Sequence, residues 1–309
     1  MAYSRRIVSY AMRTKIETSR DRGYRSYRWG KQLYRLTLFR QTRLPSPAMQ
    51  AKSSRTMWIG CSRPLSRLGL LGILLAICAL TTGCFKKFAV NKLGSALADE
   101  DDPELVKAAV PFGLKLMESL LAESPKHPEL LFATASGFTR YAYAFVQEEA
   151  DELEDRDLNG AMALRERARK LYLRARNYGL RGLEIRHPGF ERKLWANSKQ
   201  ALRTTSAKDV PMLYWTAVSW AASISMGKDT PELIADLPLA EAIIDRALEL
   251  NERFGEGAIH AFLITYEMSR QGAAGDAAAR SRRHFERAME ISRGQQAGPL
   301  VALAEAVCV

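Results

Sequence analysis

The sequence predicts an all-α fold, a solenoid of antiparallel helical hairpins, and three observations carry that expectation. Apolar residues recur at helical spacing through most of the chain after Cys84. Prolines punctuate the pattern and leave elements of roughly 12 to 25 residues, a length that suits helical hairpins. Period-two alternation bounded by turn residues, the mark of strands, is hard to find.

The front of the chain stands apart. Residues 1–56 hold 14 Lys/Arg against 2 Asp/Glu, with Arg5, Arg6, Arg20, Arg22, Arg25 and Arg28 set among Tyr3, Tyr10, Tyr24 and Tyr27. They show no sustained apolar periodicity, so they predict a basic disordered extension rather than a core. Such a stretch suits RNA binding or an organellar presequence; alternatively Met57 is the true start, because a complete signal peptide begins there. In residues 57–83, Arg63 and Arg67 precede an apolar run from Leu68 to Leu80, and Thr81, Thr82 and Gly83 lead to Cys84. A bilayer span takes roughly 20 apolar residues, so this run predicts a secretory signal rather than a membrane helix. Leu80-Thr81-Thr82-Gly83-Cys84 resembles the bacterial lipoprotein cleavage box, which makes Cys84 the candidate attachment point for a palmitate-type lipid anchor. An uncleaved anchor with Cys84 as an ordinary thiol is the alternative.

Residues 84–101 read as a linker and first helix, and 102–309 as the helical repeat domain. From Cys84 onward there are 30 basic and 32 acidic residues, so the formal charge of +12 and pI near 9.6 belong to the front end. A nucleic-acid partner is therefore not expected. Breaks at Asp102-Pro103, Ser124-Pro125, His187-Pro188, Val210-Pro211, Thr230-Pro231, Leu237-Pro238 and Gly298-Pro299 mark element boundaries, several with Pro placed for the first turn of a new helix. Leu164, Ala168, Leu171, Ala175 and Tyr178 lay one apolar stripe along a helix; Leu239, Ile243, Ala247 and Leu250 lay another.

The hairpins carry an irregular repeat. Ala168-x3-Tyr172-x2-Ala175 places small residues and an aromatic at the spacing of the second helix of a tetratricopeptide unit, and Phe285-x2-Ala288 repeats part of it with Ser281 in the first position. Ala135-x-Gly137-x3-Tyr141 and Gly257-Ala258-x-His260-x5-Tyr266 suit the first helices. Small residues let helix backbones approach while the aromatic fills the neighbouring groove.

A set of ordered strings carries a family resemblance: YAYAFV (141–146), RARNYGLRGLE (174–184), HPGF (187–190), LYWTAVSWAA (213–222), RALEL (246–250), GAIHAF (257–262) and HFERAMEIS (284–292). Together they resemble the T-component (TatT) family of tripartite ATP-independent periplasmic (TRAP) transporters. The resemblance implies a periplasmic lipoprotein with a tetratricopeptide-like fold that works beside the solute-binding subunit of an importer for small organic ligands. It also implies assembly into oligomers, and attachment to a membrane through the lipid. With Phe85 rather than Asp after Cys84, the outer membrane of a Gram-negative envelope is the expected location.

Catalysis has little support. His127, His187, His260 and His284 fall in four separate segments without metal-ligand spacing, and no phosphate loop, nucleophile elbow or HExxH motif is present. No enzyme activity, metal or cofactor is expected. The acidic run Glu148–Asp155 and the arginines of 165–176 read as solvated helix faces. Aromatic clusters on the candidate first helices are the better site signal, since such helices line the concave face of repeat proteins. Tyr141, Trp215 and Trp220 are the candidate ligand- or partner-binding residues, with core filling as the alternative role. A structural adaptor of the cell envelope, docking proteins through the same repeats, is the competing function.

Overall fold

A computed structural model describes residues 100–228 and 230–307. The basic extension, the signal-like segment, Cys84 and the linker up to residue 99 lie outside the described residues.

The described residues are helical with no strand. In order they form α1 (Pro103–Glu123), α2 (Pro128–Tyr141), a π-helical segment (Ala142–Gln147), α3 (Glu148–Leu153), α4 (Leu158–Arg186), α5 (Phe190–Ala196), α6 (Ser198–Arg203), α7 (Val210–Met226), α8 (Pro231–Ala235), α9 (Leu237–Leu250), α10 (Ala258–Tyr266), α11 (Ala277–Ser292) and α12 (Gly298–Ala306). The proline signals mark real starts at α1, α7, α8, α9 and α12, and α2 begins at Pro128, which was not among them; all six carry Pro in the first two positions, where the missing N–H leaves no bond unmade. Ser124-Pro125 and His187-Pro188 instead form turns between helices. Side-chain caps complete several N-termini: Asp102 accepts from the Glu104 and Leu105 amides, Asp157 from Gly160, and Asp276 from Ala279.

Packing follows the two predicted stripes. Ala168 and Ala175 are fully buried along α4, and Ile243 and Ala247 along α9. α4 is the central member, packed on α2, the π segment and α3 on one side and on α7 on the other. Its register against both neighbours is antiparallel: Phe138 of α2 stacks on Tyr178 while Asp151 of α3 pairs with Arg165. On the other side Arg176 lies over Trp220, while Arg186 bonds Asp209 just before α7. Glycines permit the second approach. A Cβ on Gly179 would collide with Thr216, whose Cα would stand 3.3 Å away. α7 also packs on α9, α10 on α11, and α12 on both α10 and α11.

In the α10–α11 hairpin Ser281 Oγ donates to the Ile264 carbonyl at 2.7 Å, and Gly257 comes up against Ala288. Gly257 has φ +91° and a Cβ there would stand 3.3 Å from the Ala288 Cα, so the position calls for glycine twice over.

Candidate functional site

α7 carries aromatic residues on two sides, and the structure separates their roles. Leu213, Thr216, Ala217 and Trp220 turn inward and are buried, whereas Tyr214, Trp215 and Val218 fall on the half-exposed side. Trp215 meets Tyr214 edge-on at 5.0 Å between ring centroids, and Tyr214 meets Phe254 at 5.3 Å. The guanidinium of exposed Arg140, at the end of α2, lies 4.7 Å above the Trp215 ring. Burial pushes the Tyr214 phenol up to about 12, so it stays protonated and acts as a hydroxyl near neutral pH. A cation and three aromatic faces thus gather from α2, α7 and the 3-10 turn after α9. Such a surface offers aromatic anchors with a guanidinium at the rim, the residue types in which binding energy concentrates.

The other two candidates stand elsewhere. Trp220 is 0% exposed, its indole N–H donates to buried Asp236 at 3.2 Å, and Arg176 and Trp195 cover its two sides. Enclosed like this, it offers no surface to a ligand and props up the helix that displays Trp215. Burial raises the Asp236 carboxyl pKa, against the lowering effects of the indole bond and of Arg176. Tyr141 keeps 7% of its surface, receives a bond from Arg167 Nη2 on its hydroxyl at 3.4 Å, and tilts onto Phe145 at 5.7 Å.

Two features escaped the sequence. After Tyr141 the backbone widens into a π segment, which turns Tyr143 outward to 53% exposure and leaves Val146 buried. Such segments recur at functional sites. Tyr143 is pushed up to about 12, chiefly by burial and then by Glu148, and Glu148 is raised by burial, with Glu305 of α12 adding to both shifts. The hairpin register also brings His260 and His284 together, 24 positions apart in sequence. The repeat positions Gly257, Ser281 and Ala288, marked in the sequence without a register, meet in the same hairpin. Among the described residues no group of three or more His, Cys, Asp or Glu is arranged to hold a metal ion, and no helix is long and apolar enough to cross a membrane.

The profile of the TRAP transporter T-component family matches residues 99–309, which covers every helix described above. The chain belongs to that family. A relative from Treponema pallidum (strain Nichols), itself an uncharacterized protein, is 27% identical over 260 residues, covering 76% of this chain and 80% of that protein. Membership gives the chain a role in TRAP transporters and places it with the cell envelope; the family is a transporter component.

Proposed function

We propose that this T-component is a non-enzymatic periplasmic lipoprotein that assists a TRAP importer by holding its solute-binding subunit. The docking surface in this proposal is the half-exposed cluster of Trp215, Tyr214, Phe254 and Arg140. The observation that carries it is the division of labour on α7: Trp220 is locked in the core, while Trp215 is held half-exposed under a guanidinium. An apolar ring fixed by its neighbours loses little freedom on binding, which favours it as an anchor. The part of the chain from Cys84 onward is nearly neutral, so long-range charge steering contributes little and contact quality decides the partner. Tyr141, almost fully buried against Phe145, has a supporting part in this reading.

Within the same proposal residues 57–83 are a lipoprotein signal, Cys84 carries the lipid, and the domain from 102 onward faces the periplasm from the outer membrane. Helical hairpins stacked as repeats, association with further copies and presentation of a small organic ligand belong to the proposal as well. Co-purification tests it: the tagged chain, extracted from the envelope, should retain the solute-binding subunit of its transporter. Recovery of other envelope proteins without that subunit would favour a general adaptor and overturn the importer role.

A further inference from the structure

Groups from three elements converge at the α10–α11 hairpin. His260 of α10, 6% exposed, faces His284 of α11 with Nδ1 to Nδ1 at 2.8 Å and ring centroids 5.1 Å apart. Its other nitrogen, Nε2, lies 3.4 Å from a carboxylate oxygen of Glu252, in the turn after α9. Arg287 of α11 clamps that same carboxylate, with Nε at 2.9 Å and Nη2 on the second oxygen. Two nitrogens this close need one donor and one acceptor. The Glu252 carboxylate only accepts, which puts the His260 proton on Nε2, leaves its Nδ1 bare and makes His284 the donor through Nδ1–H.

We propose that the His260–His284 contact is an acid-sensitive latch. While both imidazoles are neutral it holds α11, and the turn that carries Phe254, against α10. A first added proton leaves the Nδ1–H···Nδ1 bond in place but buries a charge; a second removes the acceptor and sets two cations face to face.

The charged surroundings pull both ways, and burial decides. Glu252 favours a proton on His260 and Arg287 opposes it, while Glu267 favours one on His284 and Arg270 and Arg283 oppose it. From the segment after α10, buried Glu267 faces the pair but is held by both Arg270 at 2.8 Å and Arg280 at 2.6 Å. From α9, Asp245 and Glu241 pair with Arg270. The single charged side chain of α12, Glu305, acts on Tyr143 and Glu148. Burial first, and the neighbouring imidazole second, hold His284 down to about 4, and burial lowers His260 too. Both folded values lie below the ordinary histidine value, so the latch contributes fully above about pH 6.5 and is lost as pH falls from there toward 4. Glu252, held by Arg287 down to about 2, stays ionised through that window.

Amide hydrogen exchange on the full chain at pH 7 and pH 5 tests the latch. Protection in α10 and α11 should fall at least about tenfold more than in α4 and α7, the effect expected of a histidine with such a shift. His284→Gln keeps a donor for His260 without titrating, so it should reduce the excess loss; His260→Gln with His284→Gln should abolish it. A uniform loss across all helices, or an unchanged excess in the double variant, overturns the proposal. Should the double variant fail to fold, NMR titration of the wild-type imidazoles decides: both must titrate below the ordinary histidine value of about 6.5, and a value at or above it for either ends the proposal. None of these outcomes depends on the docking surface or the transporter role.

Discussion

Trp215 and Trp220 stand five positions apart on one helix and illustrate how far residue type alone can be trusted. Both are large rings with one polar handle, and the sequence puts them in the same cluster. What separates them is the neighbour each meets, Arg176, Trp195 and Asp236 for one and Arg140 and Tyr214 for the other, and all but Tyr214 lie outside α7. Trp220→Ala is expected to cost about 3–5 kcal/mol of stability, because it leaves a cavity and takes the indole donor from buried Asp236, leaving it only Arg176. Trp215→Ala should cost clearly less, since that ring keeps part of its surface in water. Urea unfolding of the two variants checks the contrast, and equal losses would place Trp215 in the core. The histidine pair makes the same point, because only the hairpin register brings the imidazoles within reach of one another.

At the scale of elements most of the fold was legible. Proline positions marked helix starts because the first-turn amide has no partner to lose, and the 164–178 and 239–250 stripes marked buried faces because burial at helical period is what makes a helix stable in a globule. The π segment was not legible: a single wider turn leaves composition unchanged and shifts the face of only a few residues, here Tyr143 and Phe145. Gly179 and Gly182, which the repeat pattern did not single out as small residues at a crossing, yield a sharper prediction. Gly179→Ala on α4 drives a methyl into Thr216, a β-branched residue with its own Cα close by, while Gly182→Ala meets the flexible end of Met212. The first should destabilise by about 1–3 kcal/mol or more and the second by clearly less, because only methionine can swing aside. Thermal unfolding of the two variants measures the order, and the reverse order would contradict the packing described at this crossing.

For the whole molecule, charge and chemistry set the terms. The basic excess sits ahead of Cys84, and the chain from Cys84 onward carries 30 basic against 32 acidic residues, so the selectivity of this T-component must come from contacts. The proposed anchor makes its own prediction: the chain should partition with membranes, and Cys84→Ser should release it without changing its helical content. Recovery of an unlipidated wild-type protein that begins upstream of Leu68 would contradict the signal. The most direct test of the central claim is the affinity of the purified domain for the solute-binding subunit of its own transporter, measured for the wild type and Trp215→Ala. The docking surface predicts saturable binding that weakens by about tenfold or more in the variant, under conditions where both proteins are fully folded. Absence of binding by the wild type, or equal affinity for the two proteins, would contradict it.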